Sequence, residues 1–90
     1  MQKRVHALFE GQVQGVGFRF TAREFAQRTS VAGWVKNLPD GRVEIVAEGQ
    51  EENLKQFISG MQEYFRRYLR DTRIQWLPPS GEFNDFGVRF

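Results

Sequence analysis

Ninety residues with nine Phe, two Trp and 40% hydrophobic side chains are enough for one packed core and too few for two. Thirteen Lys and Arg against eleven Asp and Glu leave a formal charge of +2 with no long run of one sign, a balance that suits a phosphate ligand without demanding one. The lack of Cys excludes disulfides, thiolate metal sites and cysteine-nucleophile phosphatase chemistry, and the lone His6 cannot build a metal site with other His. The polar, basic stretch Met1 to Val5 runs straight into a strand pattern, with no apolar signal core and no long apolar span, so a reducing cytoplasm and no membrane partner are expected.

In chain order, Val5, Ala7, Phe9 and Val13 alternate with Arg4, His6, Glu10 and Gln12, the period of a strand with one buried face; Leu8 is the misfit on the polar side. After Gln14-Gly15-Val16-Gly17, the residues Phe18, Ala22, Phe25 and Ala26 recur at helical spacing, with Arg19, Arg23, Gln27 and Arg28 elsewhere on the wheel. Residues 31 to 37 and 42 to 48 read as two strands joined through Leu38-Pro39-Asp40-Gly41, a short hairpin by its turn chemistry. Leu54, Phe57, Ile58, Met61, Phe65 and Tyr68 mark a second amphipathic helix, with Glu51 and Glu52 at its start and Arg66 and Arg67 near its end. Gly60 inside it costs about 1 kcal/mol against Ala. Thr72, Ile74 and Trp76 then alternate as a strand, Pro78-Pro79-Ser80-Gly81 interrupts, and Phe86, Val88 and Phe90 alternate again.

Two helices inserted in this order bury their apolar stripes together only on one face of a sheet. The expectation is therefore a single α+β domain over residues 1–90. Its form is a ferredoxin-like split βαβ sandwich, two helices on one face of a mainly antiparallel sheet of four to five strands. That architecture hosts enzymes, RNA binders, metal carriers and regulatory modules, so function rests on the site.

The run Gly11-Gln12-Val13-Gln14-Gly15-Val16-Gly17-Phe18-Arg19 sits where the first strand hands over to the first helix. Successive N-H groups from such a turn, with those of the first helical turn, can bind an anion; a tight connection without a ligand is the other reading. Arg19 in the first turn faces the positive end of the helix dipole, a penalty of roughly a few tenths of a kcal/mol that a bound anion converts to attraction, and its planar fork matches two phosphate oxygens. As a solvated surface charge it would need no ligand. Arg23, one turn on, reads as surface. No Gly-Lys-Ser or Gly-Lys-Thr follows the glycines and the three-glycine dinucleotide spacing is absent, so nucleotide binding has no support.

This turn and a second block, Gly33-Trp34-Val35-Lys36-Asn37-Leu38-Pro39-Asp40-Gly41-Arg42-Val43-Glu44, together resemble the acylphosphatase family, in the order and spacing expected of it. The resemblance implies that the turn from Gln14 through Gly15, Val16 and Gly17 to Phe18 supplies backbone N-H donors to a substrate phosphate. It further implies that Arg19 is the phosphate-binding side chain and that Asn37 orients the attacking water. From the chain alone Asn37 would be a hairpin residue, favoured there for local turn bonding. After the second helix the family often has a Gly-Pro turn, where this chain reads Tyr64-Phe65-Arg66-Arg67-Tyr68-Leu69-Arg70-Asp71, which leaves the helix end and the pairing of the last two strands open.

An acyl phosphate expels a carboxylate, a good leaving group, so its hydrolysis needs no strong general acid and no metal. Neither block holds an obvious general acid, a thiol or a metal cluster, and charge stabilisation and positioning remain. The expected activity is metal-free and cofactor-free hydrolysis of a small-molecule acyl phosphate, releasing inorganic phosphate, by a monomer. An RNA-binding module is the rival of another class, since Gly17-Phe18-Arg19-Phe20 faintly resembles an RNA-recognition signature; Trp34 and Trp76 could stack bases, and Arg66, Arg67, Arg70 and Arg73 could form a basic patch. Placement disfavours nucleic acid, because Phe18 and Phe20 open a helix instead of lying on a central strand. A piece of a larger hydrogenase-maturation protein is the second rival, with a complete standalone enzyme the simpler account.

Overall fold

Val5, Ala7 and Phe9 are wholly buried while Arg4, His6, Leu8 and Glu10 between them are not, and the same period of two runs through Val43, Ile45 and Ala47. These residues form one face of a sheet, and the apolar stripes of both helices close on it. The computed structural model describes residues 1–90. Its elements are β1 (Gln2–Gly11), α1 (Phe18–Thr29), β2 (Ala32–Asn37), β3 (Val43–Gln50), α2 (Glu51–Tyr64), β4 (Leu69–Leu77) and β5 (Phe86–Arg89). The five strands lie in the order β4-β1-β3-β2-β5, antiparallel except for the parallel β2-β5 pair. This is the expected split βαβ sandwich, with strands at the upper end of the expected number.

Phe18 from α1 and Phe65 just after α2 bring the two helices together over β1. Their ring centroids are 4.6 Å apart, and Phe18 also meets Phe9 at 5.0 Å. Such tilted aromatic pairs add roughly 0.5 to 1.5 kcal/mol beyond the area they bury. Gly60 has its reason here. A Cβ at that position would lie 3.3 Å from the ring of Phe25, so the absent side chain lets α2 approach α1 and the loss of helix propensity is spent on packing.

The second helix is shorter than its apolar spacing suggests. It ends at Tyr64, and Arg66 and Arg67 lie beyond it, so they do not complement its dipole. Tertiary bonding overrides the helical period. Phe65 is pinned in the core, its carbonyl accepts the N-H groups of Tyr68 and Leu69 at 2.9 Å, and the Tyr68 carbonyl accepts Gln12 N-H at 2.8 Å. The chain is thereby turned into β4, which begins at Leu69 opposite Gly11 and runs longer than the Thr72, Ile74 and Trp76 alternation indicates. At the other end, β1 stops at Gly11 after an irregularity at Glu10, so Val13 is buried from the turn and not from a strand.

Residues 78–85 cross from the β4 edge to the β5 edge over the face that carries no helix. They are fastened on Glu48, whose carboxylate accepts the Ser80 N-H (2.9 Å), the Ser80 hydroxyl (2.6 Å), the Gly81 N-H (2.9 Å) and Arg4 (3.1 Å). Burial alone would raise the Glu48 pKa; the bonds from Ser80, Gly81 and Arg4 outweigh it and hold the carboxyl below its ordinary value.

Candidate functional site

Gly15 and Gly17 take φ of 78° and 79°, a region open to glycine at little cost, while Val16 between them does not. Alternating the sign of φ turns successive N-H groups toward one side of the chain. Gly17 is the N-cap of α1 and contributes no side chain to satisfy the first helical amides, and no acidic residue lies in the first turn, in contrast to Glu51 and Glu52 of α2. The first N-H of the region with an acceptor in the protein is that of Thr21, bonded to the Gly17 carbonyl at 3.0 Å. The amides of Gly15, Val16, Gly17, Phe18, Arg19 and Phe20 are all unpaired, so the turn and the helix start form one cluster of free donors.

Arg19 stands beside these donors. It is half-buried and makes no ion pair, and its guanidinium rests on the Phe90 ring with Cζ 4.7 Å from the centroid. Arg23 is exposed, as expected, and lies over Phe20 at 5.8 Å. Asn37 is the last residue of β2, paired with Val43, which in β3 is paired with Phe9. It belongs with Gly33 and Val35 to the face covered by the helices. The parallel register joins Val35 to Val88 and Lys36 to Arg89, and its continuation sets Phe90 alongside Asn37. Phe90, itself 89% exposed, carries the Arg19 contact, and Arg19 and Asn37, 18 positions apart in the chain, reach the same end of the sheet.

Local turn bonding, the alternative for Asn37, is done by another residue. Asp40 accepts the Arg42 N-H at 3.1 Å and its Nε at 2.9 Å, while the Asn37 side chain has no hydrogen-bond partner in the protein. The Arg42 backbone N-H, then its guanidinium, holds the Asp40 carboxyl below its ordinary pKa. Gln14 does more than lend a backbone amide to the turn. Its side-chain Nε2 donates to the carbonyls of Leu38 (2.8 Å) and Arg42 (3.0 Å) in the hairpin. Neither this bond nor the Phe90 contact is signalled in the sequence, because each partner is remote in the chain and no local period reports it.

The features of the RNA reading are dispersed. Phe18 is buried in the core, Trp34 is stacked under Arg89 at 4.6 Å, and Trp76 lies at the far edge on β4. Arg66 and Arg73 sit near Glu63 (3.5 Å) and Asp71 (3.7 Å). The largest cleft, about 740 Å³, lies between the second half of α1 and residues 81–86 and contains neither Arg19 nor Asn37. No group of three or more His, Asp or Glu is gathered as a metal-ligand set, and no helix is long and apolar enough to cross a membrane.

The acylphosphatase family model matches residues 5–88. An acylphosphatase of Caldanaerobacter subterraneus subsp. tengcongensis is 38% identical over 93 residues, covering 98% of this chain and 99% of that one. The crystal structure of acylphosphatase from Bacillus subtilis superimposes with a TM-score of 0.89 at 32% identity, covering all of both chains. HypF of T. kodakarensis contains a similar unit, TM-score 0.80 and 33% identity over 98% of this chain but 12% of that one. With a family match over nearly its whole length and the same fold in its relatives, this chain belongs to the acylphosphatase family.

Proposed function

We propose that residues 1–90 act as one domain, monomeric and cytoplasmic, that hydrolyses acyl phosphates without a metal by in-line attack of water on phosphorus. Hydrolysis of acyl phosphates, small-molecule mixed anhydrides, follows from membership of the family. The observation that carries the mechanism is the cluster of unpaired amides from Gly15 to Phe20 beside an Arg19 that has no carboxylate partner. A dianionic phosphoryl group satisfies both.

In this reading the turn amides and the Arg19 fork neutralise the equatorial phosphoryl oxygens, as preorganised donors that need not reorient when charge develops. The Asn37 amide holds the water opposite the leaving group. The water oxygen bonds to phosphorus, the bond from phosphorus to the acyl oxygen breaks, its electron pair leaves on the carboxylate, and a phosphoryl oxygen takes the water's proton. The products are a carboxylate and inorganic phosphate.

The test is hydrolysis of benzoyl phosphate by the purified chain in excess EDTA, with Arg19→Ala and Asn37→Ala in parallel. Arg19→Ala should lose competitive inhibition by inorganic phosphate as well as turnover, since charge-assisted bonds are worth roughly 1.5 to 3 kcal/mol each. Asn37→Ala should lower kcat by about a hundredfold or more with phosphate affinity near normal. Equal loss of phosphate binding in Asn37→Ala would remove it from the water-orienting role, and activity abolished by EDTA would refute the metal-free reading.

A further inference from the structure

We infer that the Gln14 side chain is a positioning residue for the reaction, the clamp that holds the Asn37 end of the hairpin in register with the phosphate-binding turn. The inference rests on the proposed water-orienting role of Asn37.

Gln14 belongs to the turn, yet its side chain leaves it. One amide nitrogen carries two N-H bonds, and they are directed at two carbonyls, Leu38 at 2.8 Å and Arg42 at 3.0 Å. Those two residues are the closing pair of the hairpin loop, since Leu38 N-H also donates to the Arg42 carbonyl at 2.8 Å. The Leu38 carbonyl further accepts Gly41 N-H at 3.1 Å. Gln14 therefore grips both strands of the hairpin where they leave the sheet, one peptide beyond Asn37. No other hydrogen bond joins residues 12–17 to residues 37–42. The β2-β3 pairing ends at Asn37 and Val43, and beyond it this one side chain supplies the hydrogen bonds between the loop and the turn.

The consequence is positional. Arg19 and the free amides are carried by the turn and α1, whereas Asn37 is carried by β2, and the water it holds must meet phosphorus along a defined line. Misplacement of a reacting group by about 1 Å costs up to a hundredfold in rate. The phosphate donors are all on the Gln14 side of the clamp, so loosening it should leave phosphate binding in place and degrade the attack.

Gln14→Met keeps the length of the side chain and removes both donors. Its kcat with benzoyl phosphate should fall roughly tenfold or more, while the inhibition constant for inorganic phosphate stays within about twofold. In the Asn37→Ala background the same substitution should cost little further, because the group it positions is gone. Thermal unfolding of each variant shows whether the fold is kept; Gln14→Asn, too short to reach both carbonyls, carries the same expectation if the Met variant does not fold. Wild-type kcat in Gln14→Met, loss of phosphate binding in step with kcat, or a full multiplicative loss in the double variant would each overturn the clamp. If Asn37→Ala itself keeps full turnover, the water-orienting reading fails; if Asn37→Ala is slow and Gln14→Met is not, the clamp alone fails.

Discussion

A guanidinium in the first turn of a helix is repelled by the dipole and loses hydration when half-buried, and Arg19 has no carboxylate to offset either effect. The Phe90 ring at 4.7 Å, itself 89% exposed, supplies a partial compensation. A cation on an aromatic face at an exposed site is worth about 0.5 to 1 kcal/mol. Phe90→Ala should therefore raise the inhibition constant for inorganic phosphate by about two- to fivefold, and Phe90→Trp should restore it. Unchanged phosphate inhibition in Phe90→Ala would show that the ring does not orient Arg19.

At the level of elements, α1 is bounded at both ends by left-handed residues, Gly17 at its start and Ser30 at its end, with φ of 58° for Ser30. A non-glycine residue pays about 1 to 2 kcal/mol for that conformation, and glycine gives back roughly 0.5 to 1 kcal/mol through its freer unfolded chain. Ser30→Gly should raise the urea midpoint by an amount equal to about 0.5 to 1 kcal/mol without altering turnover, since the substitution lies at the opposite end of α1 from Arg19. A lower midpoint would mean that the Ser30 side chain contributes more than its backbone costs. The other element whose end matters is α2. Its capping residue, Phe65, is a core residue that turns the chain toward β4, and by stacking on Phe18 it supports the start of α1 from beneath.

The whole molecule is tied across its open face by the 78–85 crossing, and Glu48 is the anchor. Its folded pKa lies below the ordinary 4.5, so the bonds to Ser80, Gly81 and Arg4 stabilise the fold fully above that value. Their contribution fades as the pH falls from 4.5 through the lower folded value, because protonation then uncouples the anchor. Glu48→Gln keeps the shape and removes the charge. It should cost about 1 to 3 kcal/mol near neutral pH, and its thermal midpoint should converge with that of the parent chain as the pH is lowered below 4.5. A constant gap between the two down to pH 3 would separate the acid sensitivity of this fold from Glu48.

The element order, the helix-covered face of the sheet, the buried stripe of α1 and membership of the acylphosphatase family were all legible in the sequence. They depend on period-2 and helical spacing and on two contiguous blocks, which are local properties of the chain. The candidates Arg19 and Asn37 were legible for the same reason, each lying inside a block. The tertiary structure decided what local pattern cannot report. It ended α2 at Tyr64 against the apolar spacing, because the Tyr68 carbonyl is taken by Gln12 and Phe65 is held in the core. It gave Gly60 a use against Phe25, gathered four donors on Glu48, set the Phe90 ring against Arg19, and sent the Gln14 side chain across to Leu38 and Arg42. Each of these joins residues far apart in the chain, where the deciding energy is a packing or hydrogen-bonding term that no short window of sequence contains.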